Sequence, residues 1–212
     1  MSKLIDLTVR EFCDTLASDA PAPGGGSAAA LAGVHSAGLL AMYCRLTIGK
    51  KKYAEVEQKM KDSLVEIERA RTRLMELVDL DTDAFNKVMD AFRMPKESDD
   101  EKAARTEAIQ AGMKGAAEVP LEVCTWAVRL IQIARLIHKD GNKNALSDCG
   151  VAVQLAMASF SGAALNVYIN LDSIKDEAFA GAAKKQVHDL ETQARSMTPE
   201  IATYIYTELG VS

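Results

Sequence analysis

Residues 53–92 decide the fold, and they read YAEVEQKMKDSLVEIERARTRLMELVDLDTDAFNKVMDAF. The apolar side chains of this stretch recur at the three- and four-residue steps of an α-helix: Val56, Met60, Leu64, Ile67, Leu74, Leu77, Phe85, Val88 and Phe92. A helix of this length extends about 60 Å at 1.5 Å per residue, which is too long for one compact partner to cover. The stretch therefore predicts a helical bundle, a helix break near residues 79–83, or a dimer.

Helical periodicity continues outside this stretch, and no segment alternates as a pair of strands would. Thr8 and Glu11 form a capping box that starts a first helix. Further helices are predicted at about 27–48, 99–138, 145–171 and 176–209. Pro120 is expected to break or kink its helix, because proline removes a backbone hydrogen bond, and the last segment is expected to break before Pro199. We predict one all-α domain over residues 1–212, a bundle of six to eight helices in which the long ones run antiparallel.

The composition is that of an ordinary folded protein, with 212 residues, 48% hydrophobic and 26% charged. The formal net charge of −5 disfavours a nucleic-acid binder, which needs a basic face. The four cysteines form no CxxC pair and the three histidines are dispersed, so no metal site is expected. Reduced thiols, and an amino terminus that reaches charge within six residues, favour a cytoplasmic protein.

One segment, Ser27 to Ile48, is long enough to resemble a membrane span. Its apolar content is mostly alanine and glycine, and His35, Ser36 and Arg45 interrupt it. We therefore expect a buried helix that packs closely through small residues, and no membrane partner.

A glycine-rich loop precedes this helix. Gly24, Gly25, Gly26 and Ser27 follow two prolines, and no strand precedes them, which argues against a dinucleotide-binding fingerprint. A glycine loop that opens a helix still exposes free N–H groups at the positive end of the helix dipole. The loop is therefore either an anion-binding element or a plain flexible turn.

A second polar cluster lies at residues 141–148, GNKNALSD. Asn144, Ser147 and Asp148 are spaced to share one face of a helix start, and Asn142 precedes them. N-capping accounts for one or two of these groups but not for all of them. Asp148 also begins a run in which Val151 and nearby side chains should be buried, and a carboxylate near apolar neighbours can transfer protons or pair with a cation.

Other polar groups interrupt apolar patterns. Two acids occur in residues 81–85, and Asn166 and Asn170 stand four apart in an otherwise apolar segment, so the amides should meet polar partners or line a cavity. Lys50, Lys51 and Lys52 form a basic cluster. Because both small-residue helices should meet in the bundle centre, the loops at 20–26 and 139–144 are expected to wall one site.

Four motifs in order resemble the cyclodeaminase/cyclohydrolase family, to which the carboxy-terminal domain of formiminotransferase-cyclodeaminase and the stand-alone methenyltetrahydrofolate cyclohydrolases belong. They are PAPGGGS at 21–27, DAF at 83–85, GNKNALSDCGVA at 141–152 and GAALNVYINL at 162–171. The resemblance covers nearly the whole chain. It implies an all-α fold, homodimers, and a tetrahydrofolate substrate that carries a one-carbon unit at N5 and N10, with no further cofactor.

The implied chemistry assigns roles to these residues. Asp148 or Asp83 would stabilise a cationic carbon and move a proton, with Ser147 at the same catalytic centre. The residues that would bind the substrate are Gly24, Gly25, Gly26, Ser27, Asn142, Asn144, Asn166 and Asn170. Lys50, Lys51 or Lys52 would meet the glutamate tail.

Three functions stay open at this point. The first is a cyclohydrolase that converts 5,10-methenyltetrahydrofolate to 10-formyltetrahydrofolate, favoured because no formiminotransferase domain accompanies the sequence. The second is a formiminotetrahydrofolate cyclodeaminase. The third is a non-catalytic helical dimerisation module, which leaves the clustering of polar residues at two loops unexplained.

Overall fold

The computed structural model describes residues 3–211, which form an all-α fold. Its six α-helices are α1 Val9–Leu16, α2 Gly25–Thr47, α3 Glu57–Arg93, α4 Asp99–Ile137, α5 Leu146–Leu171 and α6 Glu177–Glu208. Three short 3-10 helices span Leu4–Asp6, Lys51–Val56 and Lys143–Ala145. The predicted all-α class is confirmed.

Helices α2 to α5 form an antiparallel four-helix bundle. Helix α2 packs against α3 and α5, and α4 packs against the same two helices from the other side. Polar contacts fix the directions: the start of α2 meets α3 at Asp81, and its end meets the same helix at Glu68. Helix α6 packs against α4 and α5. The prediction of long antiparallel helices is therefore correct.

Small residues let α2 and α5 approach each other closely. Ala30, Ala37 and Ala156 are fully buried, and the Ser36 hydroxyl donates to the Ala152 carbonyl over 2.8 Å. A side chain on Gly33 would place its Cβ 2.9 Å from the Ser159 hydroxyl. The core is thus built from close backbone approach as much as from large apolar side chains.

The predicted helix breaks do not occur. Helix α3 is continuous through residues 79–83, and α4 and α6 run through Pro120 and Pro199. Pro120 lacks the N–H that would bond the carbonyl of Ala116, and the side-chain amide of Asn170 donates to that carbonyl instead, over 2.8 Å. A contact from α5 thereby replaces the missing bond and lets α4 continue.

Helix α2 and the segment Lys143–Leu171 are each long and apolar enough to cross a membrane by length and composition. About half of each helix is buried inside the bundle, 56% and 44% of the most apolar windows. Core helices pass the same test, so the expectation of a packed helix at Ser27 to Ile48 agrees with the fold, although the helix begins at Gly25.

Candidate active site

The first turn of α2 meets the middle of α3 at one end of the bundle. Gly24 is the N-cap of α2 and supplies no side-chain cap, so the first backbone N–H groups are free for other partners. The N–H of Ser27 donates to Asp81 Oδ2 over 2.9 Å. This contact joins the glycine loop to an acidic side chain of α3.

The approach of these two elements requires glycine at position 26. A Cβ on Gly26 would lie 2.0 Å from Asp81 Oδ1, far inside van der Waals contact. Gly24 is different, because a Cβ there would meet no atom within 4 Å. The middle of the glycine loop is therefore shaped around the Asp81 carboxylate.

Asp81 is held in a setting that suits either protonation state. Burial raises the pKa of this carboxyl, while the hydrogen bonds from Ser27 act against that rise. The Ser27 hydroxyl lies 3.1 Å from Asp81 Oδ2 and donates to the carbonyl of Val78 over 2.9 Å. A hydroxyl has one proton, so the Ser27 oxygen can accept a proton from neutral Asp81, and its backbone N–H can bond the ionised form.

A cavity of about 330 Å³ opens beside Asp81, between the glycine loop and helices α3, α4 and α5. Its walls are mainly apolar side chains: Phe85, Val88, Met89, Phe92, Met113 and Ile169. Among the residues that the structure describes, Asp81 is the only charged one that lines it. A few polar groups in a largely apolar recess are typical of a small-molecule site.

Four further polar residues line this cavity: Thr82, Asn166, Asn170 and Ser173. Asn166 donates its amide to the carbonyl of Gly162 over 2.9 Å, and Asn170 uses its own amide on Ala116. Both side-chain oxygens are left to accept hydrogen bonds from a ligand. The Thr82 hydroxyl is buried without a hydrogen-bond partner among the described residues, so it too can bind a ligand atom.

The structure brings one group of the predicted residues together: Gly24, Gly25, Gly26, Ser27, Asn166 and Asn170. Asp83 is not among them. It is exposed and lines an outer cleft between α3 and α4, beside Lys87. Two residues along a helix are about 200° apart, so Asp81 and Asp83 face opposite ways.

Asp81 and Thr82 are therefore the site residues that the sequence analysis missed. The position of Asp81 in the helical repeat indicates that it faces inward. Leu74, Leu77 and Val78 are fully buried, and Asp81 continues their spacing of three and four residues. An acidic residue that lies in helical phase with a row of buried apolar side chains is a stronger candidate for a site residue than an acidic residue out of phase with that row.

The second predicted cluster lies at the other end of the bundle. Asn142 is buried, where its backbone N–H donates to Thr47 Oγ1 over 2.9 Å and its amide donates to the carbonyl of Leu46 over 3.1 Å. These contacts place it at the end of α2, about 34 Å from the glycine loop at 1.5 Å per residue. The expectation that both loops wall one site within a chain is wrong.

The lysine cluster and the remaining residues of the 141–148 cluster lie near the same end. Lys50, Lys51 and Lys52 are exposed after the end of α2, and Asn144, Ser147 and Asp148 surround the start of α5. Asn142 accepts a hydrogen bond from the backbone of Asn144 over 3.1 Å, so it acts as a local cap. Val151, expected to be buried, is 51% exposed.

The histidines and cysteines form no ligand cluster in the part of the chain that is described. Among residues 3–211 no group of three or more His, Cys, Asp or Glu side chains is placed to hold a metal ion. Burial raises the pKa of the Cys44, Cys124 and Cys149 thiols to about 12 each, which leaves them unreactive at neutral pH.

Known proteins resemble this chain over nearly all of its length. Residues 8–189 match the sequence model of the family described as formiminotransferase-cyclodeaminase. The methenyltetrahydrofolate cyclohydrolase of Methylorubrum extorquens is 44% identical over 194 residues, which are 92% of this chain and 93% of that protein. The formimidoyltransferase-cyclodeaminase of Rattus norvegicus is 30% identical over 91% of this chain, which corresponds to 36% of the rat protein.

The fold also has a solved counterpart. The crystal structure of formiminotetrahydrofolate cyclodeaminase from Thermotoga maritima superposes with a TM-score of 0.87 at 31% identity, and the match covers 98% of this chain and 100% of that one. The family resemblance seen in the four motifs is thus confirmed by sequence and by fold. This chain belongs to the formiminotransferase-cyclodeaminase family.

Proposed function

We propose that this protein is a methenyltetrahydrofolate cyclohydrolase, which hydrolyses 5,10-methenyltetrahydrofolate to 10-formyltetrahydrofolate. The observation that carries this proposal is the 44% identity, over almost the full length of both chains, to the Methylorubrum extorquens protein of that name. The mainly apolar cavity with a single carboxylate supports it, since the substrate is a flat ring system with a cationic carbon.

The reaction needs a group that accepts one proton and then returns it. Water adds to the cationic carbon between N5 and N10, and Asp81 takes a proton from that water as general base. The bond from the carbon to N5 then breaks as N5 receives a proton from Asp81. Loss of the hydroxyl proton to solvent leaves the formyl group on N10.

The surroundings of Asp81 suit both steps. The ionised form is stabilised by the Ser27 N–H and by the positive end of the α2 dipole, and the neutral form can bond the Ser27 hydroxyl. The raised pKa brings the carboxyl nearer to neutral pH, where a general acid–base group is most effective. The free side-chain oxygens of Asn166 and Asn170 would accept hydrogen bonds from N–H groups of the pterin.

We propose that the protein acts as a cytoplasmic homodimer that needs no metal or cofactor beyond its folate substrate and binds neither nucleic acid nor membrane. Asp148 and Ser147 keep a proposed catalytic role only if a second chain brings them to the cavity. Asp83 loses its role to Asp81 because it faces away from the cavity.

A cyclodeaminase is the second candidate, favoured by the likeness to the Thermotoga maritima structure of that name. In that reaction N10 attacks a formimino carbon on N5 and ammonia leaves, so the same acid and base would be required. Its lower identity, 31% against 44%, places it second.

One experiment separates these functions. Purified protein is mixed with 5,10-methenyltetrahydrofolate and the loss of its absorbance is followed against the spontaneous rate, with the Asp81→Asn variant as a matched control. In a second reaction, 5-formiminotetrahydrofolate is supplied and the appearance of the same absorbance is followed. Loss in the first reaction without gain in the second supports the cyclohydrolase, and the reverse result supports the cyclodeaminase. Inactivity in both refutes the proposal.

A further inference from the structure

Arg105 lies beside the wall of the cavity and has no acidic partner. Its guanidinium carbon is 5.7 Å from the centre of the Phe92 ring, and Phe92 lines the cavity near the end of α3. Within residues 3–211 Arg105 forms no ion pair, whereas seven of the ten arginines in the sequence do. A guanidinium without a carboxylate partner, at the edge of a binding cavity, is free to bind an anionic group of a ligand.

Two hydrogen bonds fix the position of the Arg105 side chain. Its Nε and Nη2 atoms donate to the carbonyl oxygen of Phe92 over 3.3 and 3.0 Å. This carbonyl is in the last turn of α3, where carbonyl groups have no N–H partner inside the helix. Both bonds use one edge of the guanidinium, so the edge formed by Nη1 and Nη2 keeps N–H groups free. Such an edge binds a carboxylate through two parallel hydrogen bonds.

The acidic side chain one turn before Arg105 does not compete for that edge. Glu101 Oε2 accepts hydrogen bonds from the backbone N–H groups of Glu97 and Ser98, each over 2.9 Å. The bond to Ser98 is part of the capping box that starts α4. The Glu101 carboxylate is thus committed to the helix start, and the charge of Arg105 is left for a ligand.

Asp81 and Arg105 are separated by a distance that matches the proposed substrate. Phe92 follows Asp81 by eleven residues, which is about three turns and about 16 Å along the same face of α3. In a methenyl folate, ordinary bond lengths place the α-carboxylate of the glutamate about 10 Å from the reacting carbon, beyond the aminobenzoyl ring. With a contact of about 3 Å at each end, the molecule spans the distance from Asp81 to the Arg105 guanidinium.

The wall between these two ends suits the middle of such a molecule. Phe85, Met89 and Phe92 follow one another at three- and four-residue steps along α3, and all three line the cavity. An aminobenzoyl ring is flat, aromatic and uncharged, so it packs well against these side chains. No basic side chain lines the cavity within residues 3–211. The cation for the glutamate must therefore come from the edge of the cavity.

We propose that Arg105 binds the α-carboxylate of the first glutamate of the folate. This contact selects substrates that carry the glutamate over pteroyl compounds that lack it. The inference rests on the proposed folate substrate. It also gives each chain its own cation for the glutamate, whereas Lys50, Lys51 and Lys52, the cluster expected to meet this tail, follow the opposite end of α2.

The first test measures binding without turnover. Isothermal titration calorimetry gives Kd for 5-formyltetrahydrofolate and for 5-formyltetrahydropteroyl amide, in which an uncharged benzamide replaces the benzoylglutamate. Arg105→Gln should weaken binding of the folate by about 10-fold, the loss expected for one partly exposed charge-assisted pair, and should leave Kd for the amide unchanged. Arg105→Lys keeps the charge but not the planar fork, so it should recover part of the loss.

Arg69→Gln is the matched control for this test. Arg69 also forms no ion pair within the part of the chain that is described, and its guanidinium carbon lies 5.8 Å from the centre of the Trp126 ring. It does not line the cavity, and it lies about 18 Å along α3 from Asp81 in the direction away from Phe92. Kd for both ligands should therefore stay at the wild-type value in Arg69→Gln.

The second test uses turnover of 5,10-methenyltetrahydrofolate. A contact far from the reacting carbon stabilises the bound substrate and the transition state equally, so Arg105→Gln should raise KM by about 10-fold and leave kcat near wild type. Replacing Lys50, Lys51 and Lys52 together by Gln should leave KM for this monoglutamate unchanged.

The outcomes separate this proposal from the proposed function. An unchanged Kd for the folate in Arg105→Gln, an equal loss for both ligands, or a loss in the triple lysine variant instead overturns the assignment. A lower urea midpoint with unchanged Kd would limit Arg105 to capping α3 and would overturn it as well. A wild type that turns over neither folate, but shows the expected loss of folate binding in Arg105→Gln, refutes the proposed function and supports the assignment.

Discussion

Replacing Gly26 by alanine tests the contact on which the active site depends. The added Cβ would lie 2.0 Å from Asp81 Oδ1, whereas ordinary contacts begin at 3.4 Å, so the carboxylate must move by about 1.4 Å. A misplacement of about 1 Å in an active site can cost roughly 10²-fold in rate. We therefore expect kcat for methenyltetrahydrofolate hydrolysis to fall by about 10²-fold or more.

Stability should change less than activity. A hydrogen bond from an N–H to a charged group contributes about 1.5–3 kcal/mol, and the better helix propensity of alanine returns up to about 1 kcal/mol. The net loss should be about 0.5–3 kcal/mol in urea unfolding. Gly38→Ala is the control, because a Cβ at position 38 of the same helix would meet no atom within 4 Å and Gly38 does not line the cavity. Wild-type kcat in Gly26→Ala would refute the role of Asp81.

Three other perturbations give distinct outcomes. Asp81→Asn should lower kcat by about 10²–10⁴-fold, whereas Asp83→Asn should leave it near wild type; equal losses would contradict the assignment. Burial raises the folded-state pKa of Asp81. The contribution of this carboxyl to folding stability is therefore present below its unfolded-state pKa of about 3.9 and is lost as pH rises through its folded-state pKa. Asp81→Asn should accordingly raise Tm at pH 7 and lose that advantage in acid. Asn170→Ala should cost about 1–3 kcal/mol by leaving the Ala116 carbonyl unpaired, and a Pro120→Ala background should reduce that cost; an additive double-mutant cycle would refute the coupling. Dialysis against a strong chelator should leave hydrolysis unchanged, and activity restored only by zinc would contradict the metal-free proposal.

Local patterns predict the helices well, because apolar spacing reports which face of a helix is buried. They fail where a distant residue decides the outcome. The missing N–H of Pro120 predicts a break in α4, but the amide that replaces its hydrogen bond comes from Asn170, 50 residues later. Nothing near Pro120 in the sequence indicates that partner.

At the candidate site too, local patterns predict some residues and miss others. The glycine loop and the two asparagines stand out as polar interruptions of apolar segments, and all line the cavity. Residue type alone does not distinguish Asp81 from Asp83, and the family motif at 83–85 points to Asp83, whereas helical phase selects Asp81. The small-residue composition of α2 and α5 suggests that the loops before these helices meet. However, α2 and α5 are the first and fourth helices of a bundle whose helices alternate in direction. The starts of α2 and α5 must then lie at opposite ends of the bundle, so the alternating helix directions predict that the two loops are far apart.

The pairing of α2 with α5 has a consequence for synthesis of the chain. The Ser36 hydroxyl of α2 bonds a carbonyl 116 residues later, and ribosomes add about 5–20 residues per second. Helix α2, which has no Asp, Glu, Lys or Arg before Arg45, must therefore wait about 6–23 s before its partner exists. During that interval α2 exposes the surface that α5 later covers. Nascent chains that stop before α5 should aggregate or require chaperones, and this liability follows from the order of the helices along the chain.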